Sequence, residues 1–163
     1  MTWLFNCLLL CYGVLGCAQS HVGRNIQGKG FEGYIFLKDQ SISPLTFDDL
    51  KERFTPSEQE IAAAEQLIKA QLIKINQPLI NQGRNCPIIH KNLDKYKRQY
   101  VGYINAQGEK VIWVNFIWGK RRDLLSGLNK GVITVLDGCS YYWNIKVNIS
   151  KGTLYALQIN GVA

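Results

Sequence analysis

From Thr55 to Pro78 the chain has little choice but to form one long helix, and that helix decides what the rest of the sequence must cover. Thr55-Pro56-Ser57-Glu58 carries the marks of a helix start. Thr55 is a side chain able to cap, Pro56 suits the first helical position because it has no amide hydrogen to lose, and Glu58 closes the capping box. Ile61, Ala64, Ile68, Leu72 and Ile75 then recur at three- and four-residue spacing through an Ala- and Gln-rich stretch until Pro78 stops it. This spacing predicts about five to six turns with a single apolar stripe. A stripe of that kind is core, so some other element must lie across it.

The second half of the chain supplies strands. Arg98 to Ile104, the turn Asn105-Ala106-Gln107-Gly108 and Val111 to Trp118 read as a hairpin. Val132 to Leu136 follows a basic, Gly-punctuated connection and reads as another strand. Tyr141, Trp143, Ile145, Val147 and Ile149 alternate with Tyr142, Asn144, Lys146 and Asn148, the pattern of a strand buried on one face. Ser150-Lys151-Gly152 then turns the chain into Thr153 to Ile159. Upstream, Tyr34 to Leu37 is strand-like, Thr46-Phe47-Asp48-Asp49 predicts a shorter helix reaching Arg53, and Leu79 to Leu93 reads as a connecting loop. The expectation is an α+β domain in which one long helix packs on a four- to five-stranded antiparallel meander, with one sheet face needing cover.

The start of the chain reads as an export signal. Trp3 to Val14 is an apolar run too short to span roughly 30 Å of hydrocarbon, and small residues follow it at once. Val14-Leu15-Gly16-Cys17-Ala18-Gln19-Ser20 resembles a bacterial lipobox, which makes residues 1–16 a signal peptide and Cys17 the acylated N-terminus of the mature protein. Cleavage after Ala18, where Gly16-Cys17-Ala18 meets the small-x-small requirement, is the alternative and gives a secreted protein without an anchor. The polar, Gly-rich residues 17–33 then read as a flexible tether with little structure, and residues 34–163 as a single domain. Without the leader about 145 residues remain, enough to bury roughly two thirds of the unfolded surface without disulfide or metal.

All the charged residues lie from Arg24 onward, so the formal charge of +7 belongs to the mature chain. Its visible clusters, Lys95-Tyr96-Lys97-Arg98 and Lys120-Arg121-Arg122, flank strands, where basic runs commonly keep sheet edges solvated. Export argues against nucleic acid, and an anionic membrane surface or a polysaccharide suits the location better.

Few groups offer chemistry. Gly28-Lys29-Gly30-Phe31-Glu32-Gly33 matches G-x-G-x-x-G, but a strand-like segment follows it where a phosphate-binding loop needs a helix. The imidazoles are His21, in the presumed tether, and His90. Cys86 and His90 stand four apart, a spacing that would pair them on a helix, but Pro87 interrupts it. A small exported hydrolase using Cys86 or Cys139 with His90 is therefore the enzymatic alternative. Two cysteines and one histidine without CxxC or HxxxH spacing make a poor zinc set, and no cofactor is implied. In an oxidising compartment Cys86 and Cys139 form either a disulfide or two separately buried thiols. Asp137-Gly138-Cys139-Ser140 reads first as a turn. Its functional reading is a polar, aromatic binding patch of Asp137, Tyr141, Tyr142 and Asn160, extended by exposed-looking Tyr100, Tyr103, Trp113 and Trp118.

Phe54-Thr55-Pro56-Ser57-Glu58, Tyr96 through Tyr103, Asp137 through Trp143 and the ending Asn160-Gly161-Val162-Ala163 together resemble a family of small exported, lipoprotein-like bacterial proteins. The resemblance runs from Phe54 to the C-terminus, and the family pattern has glycine where this chain has Cys139. No activity comes with it. The helix-then-meander order is similar to cystatin-like and PepSY-type folds, which implies a binding or inhibitory module. The function expected is thus a lipid-anchored, non-enzymatic interaction domain facing the periplasm or cell surface, with an envelope protein or polysaccharide as partner. A passive structural envelope protein is the further alternative.

Overall fold

A computed structural model describes residues 22–42, 47–120 and 122–162, with Arg122 described by its backbone alone. The apolar N-terminal run, Cys17, His21 and Thr46 lie outside the described residues.

The long helix α1 spans Glu58–Ile75 and buries Ile61, Ala64, Ile68 and Leu72 along the expected stripe. Its cap sits two residues later than expected. Ser57 is the N-cap: its hydroxyl accepts from the Glu60 amide, and the Glu60 carboxylate accepts from the Ser57 amide. Thr55 is occupied elsewhere, its Oγ1 accepting from the Lys38 amide at 2.9 Å.

The sheet is larger than expected and mixed. Its seven strands are β1 (Arg24–Gly28), β2 (Phe31–Phe36), β3 (Leu50–Phe54), β4 (Tyr96–Asn105), β5 (Lys110–Trp118), β6 (Tyr142–Asn148) and β7 (Thr153–Ile159), in the order β1-β2-β4-β5-β6-β7 with β3 also on β4. The β4–β5 hairpin and the β6–β7 pair form as expected. The remaining strands correct three expectations. The Gly-rich segment 24–33 is part of a β1–β2 hairpin, so the ordered domain begins by Arg24. Leu50–Phe54 is a strand, not the end of a helix. Val132 to Leu136 runs beside the sheet without joining it as a strand.

The outer edge of β4 explains how β2 and β3 fit. Gly33 to Phe36 pair in parallel with Arg98 to Val101, and Phe54 to Leu50 pair antiparallel with Gly102 to Asn105. The two short strands therefore meet head-on at Val101 and Gly102. Arg53 closes the seam, its Nε donating to the Gly102 carbonyl at 3.1 Å and its Nη2 to the Leu37 carbonyl at 3.2 Å. Glycine is required at 102, because a Cβ there would stand 2.7 Å from Pro56 Cγ. This contact aims the chain into α1.

Both sheet faces are covered, not one. On the helix side Tyr96, Tyr100, Ile112, Val114, Phe116, Trp143, Ile145 and Val147 pack with the α1 stripe. Behind it, Phe36, Phe47, Val101, Tyr103, Val111 and Trp113 form a second cluster. Ile117, Leu128 and Tyr142 form a third, under the 119–136 connection and its one helical turn, α2 (Arg122–Leu125). Tyr100, Tyr103 and Trp113 are core residues, contrary to the exposed role expected of them, and of that quartet Trp118 alone is half-exposed. Among the described residues no helix is long and apolar enough to cross a membrane.

Candidate functional site

The segment 136–142 is where distant parts of the chain meet. Gly138 and Cys139 are both left-handed, with φ of 87° and 45°. The turn they make delivers the Cys139 amide to the Gly161 carbonyl at 2.8 Å. Cys139 is bridged to Cys86, with an S–S distance of 2.09 Å and Cα atoms 6.2 Å apart. Around that bridge Ser140 Oγ donates to the Pro87 carbonyl at 2.5 Å, Tyr141 OH to the Asn85 carbonyl at 2.9 Å, and Tyr96 OH to the Ser140 carbonyl at 2.7 Å. The 79–95 connection, the turn and the C-terminal strand are thereby fastened at one place. Of the two states open to these cysteines, the disulfide is the one present, so neither sulfur is a free thiol beside His90. The imidazole Nδ1 lies 2.9 Å from Asn76 Nδ2, inside an amide network with Gln82.

Asp137, Tyr141, Tyr142 and Asn160 do gather at this turn, but in unlike roles. Asp137 is exposed and Tyr141 half-buried. Tyr142 is buried against Ile117 and Leu128. Asn160 donates through Nδ2 to the Val135 and Asp137 carbonyls, tying the last strand to the turn.

Three concavities follow one another across this end of the molecule. The first, of about 230 Å³, is lined by Asp94, Lys95, Lys97, Trp118, Gly119 and Lys120. The second, of about 340 Å³, shares Trp118 and Lys120 with it and adds Gly138, Tyr141 and Tyr142. The third, of about 260 Å³, shares Tyr142 with the second and lies between segment 132–135 and β5 to β7, where Asn115, Asn144, Gln158 and Asn160 are among its walls. The antiparallel register explains how two separate basic runs reach one spot: Tyr96 stands opposite Trp118, and the Gly119 amide donates to the Lys95 carbonyl at 2.9 Å. Lys95 pairs with Asp94 at 2.9 Å, Lys97 pairs with Glu32, and Lys120 is exposed. Trp118 and Tyr141 meet edge to face, ring centroids 5.3 Å apart.

Reading the sequence overlooked the polar groups that build this surface. Gln99 and Asn115 lie side by side on the second sheet face, with Asn115 Nδ2 donating to Gln99 Oε1 at 3.0 Å. Gln99 Nε2 donates to the Leu128 and Gly131 carbonyls, both at 2.8 Å, and its Oε1 accepts from the Ile133 amide at 2.9 Å. These amides hold the 128–135 segment that walls the third concavity. Their signal was present: each is a polar residue interrupting an apolar strand at a position facing away from the helix.

A second polar group, farther along the same face, joins Lys146 to Asp48 and Asp49, both at 3.1 Å, and Tyr103 OH to Asp49 at 3.1 Å. Burial alone would lower the Lys146 pKa, but its hydrogen bonds to Asp49 and Asp48 outweigh that and hold the ammonium above the ordinary lysine range. Burial, reinforced by Tyr155 and Asp49, pushes the Tyr103 phenol far up, so it stays protonated and donates. No group of three or more potential metal-binding His, Cys, Asp or Glu side chains occurs among the described residues. Compared with known proteins, the chain matches no family model, no curated protein and no solved structure.

Proposed function

We propose that this chain is an exported, lipid-anchored binding module of the bacterial envelope, acting without catalysis. The observation that carries the binding role is the run of three concavities around a disulfide-fastened turn, which gathers half-exposed aromatic rings, lysines and uncharged amides on one end of the fold. Such a surface recognises a partner, whereas the one thiol–imidazole couple that suggested hydrolysis has both its sulfurs in the bridge. The helix-then-meander order of the sequence, which resembles that of cystatin-like and PepSY-type modules, supports a binding role by analogy. The anchor rests on the lipobox-like Leu15-Gly16-Cys17-Ala18, and two or more acyl chains on Cys17 would hold the domain stably at a membrane.

The test is the intact mass of the protein purified from a bacterial host, taken with thiol alkylation before and after reduction. A mass beginning at acylated Cys17, with no alkylation until reductant is added, is expected. A mass beginning at Gln19 would overturn the anchor, and a readily alkylated Cys86 or Cys139 in the native protein would bring the hydrolase back.

A further inference from the structure

We propose that the three concavities form one track for an acidic polysaccharide, with the charged end of the track at Lys95, Lys97 and Lys120 and the neutral end at Asn144, Gln158 and Asn160. The inference rests on the binding-module reading and specifies its ligand. Four features of the surface carry it.

Continuity comes first. Neighbouring concavities share walls, Trp118 and Lys120 between the first two and Tyr142 between the second and third. A row of small adjoining hollows suits a chain of repeating units better than one compact molecule, which would be served by a single deeper pocket.

The walls then indicate the kind of unit. Half-buried Trp118 and Tyr141 line the second hollow with flat apolar surface, and a sugar ring presents a matching face of C–H groups. Asn144, Gln158 and Asn160 line the third. Asn144 Oδ1 accepts from Trp113 and the Asn160 N–H groups go to Val135 and Asp137, so the Asn144 N–H groups, the Asn160 Oδ1 and the Gln158 amide are what this wall offers to a hydroxyl-rich ligand.

Charge narrows the class. Asp94 is held in a solvent-exposed pair with Lys95, and Glu32 in a half-buried pair with Lys97. An exposed pair such as Lys95 with Asp94 contributes little and gives way readily to a ligand carboxylate. Lys120 is exposed and pairs with no carboxylate among the described residues. The chain as a whole carries +7, which draws an anionic polymer in from a distance.

Shape separates a polysaccharide from a bilayer. Rings that anchor a protein at a lipid interface project from its surface, whereas Trp118 and Tyr141 are the sides of a hollow and are locked edge to face.

Calorimetric titration of the oxidised protein with an oligogalacturonate, beside a malto-oligosaccharide of equal length and phosphatidylglycerol vesicles, tests the assignment. Saturable binding of the oligogalacturonate is expected, weakened at high salt, with the neutral sugar at least about tenfold weaker, a difference of ~1.4 kcal/mol. Replacing the exposed Lys120 alone, Lys120→Gln, should weaken binding severalfold without moving the melting temperature, and Lys95→Gln with Lys97→Gln should deepen the loss. Binding should also shift the tryptophan emission, and Trp118→Phe should remove most of that shift, because Trp143 is buried and Trp113, which lines the third hollow, is only 3% exposed. Equal binding of the neutral sugar, binding to vesicles alone, or no binding of any probe overturns the proposal. An intact mass starting at Gln19 with oligogalacturonate binding retained would defeat the anchor and leave the track standing, and the reverse result would defeat the track alone.

Discussion

Arg98 and Glu65 place a full pair of charges under the helix, 0% and 2% exposed. Removing two ions from water is costly, so such a pair persists only where every remaining hydrogen-bonding group is also used. Here Arg98 reaches Glu65 Oε1 at 3.3 Å, donates to the Tyr96 carbonyl and lies 5.2 Å from the centre of the Phe116 ring, while Tyr100 OH donates to Glu65 at 3.0 Å. Burial, with the Glu65 carboxylate beside it, holds the Tyr100 phenol protonated far beyond its ordinary range. Glu65→Ala strands the guanidinium and should cost about 3–5 kcal/mol in urea unfolding, whereas Glu65→Leu with Arg98→Met should cost less than that single change. Glu109 is half-buried beyond the β4–β5 turn. Hydrogen bonds from Lys151 first, then Asn105 and Asn148, take its pKa down from 4.5 to about 2. A carboxylate so depressed stabilises the folded state fully above pH 4.5, and that contribution is lost as pH falls toward about 2. The stability gap between the native protein and Glu109→Gln should therefore narrow across that interval in acid titrations followed by circular dichroism.

At the scale of elements, the least regular one is among the most specifically held. Segment 132–135 has the apolar, β-branched character of a strand, yet its backbone groups go to side chains: Ile133 to Gln99 and Asn115, Val135 to Asn160. Gln99→Leu leaves the Leu128, Gly131 and Ile133 groups without partners, at about 1–3 kcal/mol for each one that stays buried. Faster tryptic cleavage at Lys130 and loss of amide-exchange protection at Ile133 should report it, with α1 still protected. This is also where reading the sequence failed. Alternation identifies a half-buried run but cannot say whether its hydrogen bonds end on a neighbouring strand or on amide side chains. The α1 stripe and the β4–β5 and β6–β7 pairs were legible because their partners are near in sequence or their period is long. Leu50 to Phe54 was misread as helix because Leu, Lys, Glu and Arg favour helix locally, and its pairing with β4 overrides that preference. The cap was misplaced because Thr55 is claimed by Lys38, a partner invisible to local pattern. Of the candidate site, the aromatic turn was legible. The union of the two basic runs was not, since it depends on register across β4 and β5.

For the whole molecule the disulfide is the largest single constraint. It joins positions 53 apart, which on the chain-entropy view contributes about 4 kcal/mol. It fastens a connection that contains Leu79, Asn81 and Arg84, all left-handed, to a turn whose Cys139 is left-handed too. Reductant should lower the melting temperature by roughly ten degrees, with amide protection lost first around residues 79–95. Glycine fits the left-handed backbone at 139 better than any residue with a Cβ: with the bridge gone in both, Cys139→Gly should exceed Cys139→Ala in stability by about 1 kcal/mol.

The parallel pairing of β2 with β4 imposes an order of events on a growing polypeptide. Synthesis delivers the β1–β2 hairpin first, but Gly33 has no neighbour to dock on until Arg98 has been made. Until then the early hairpin stands with its pairing edge bare. An isolated two-stranded ribbon is barely stable in water, so for that interval it is a segment open to a chaperone or to another nascent chain. Closure of the N-terminal third is thus a late event, triggered by residues near the middle of the sequence.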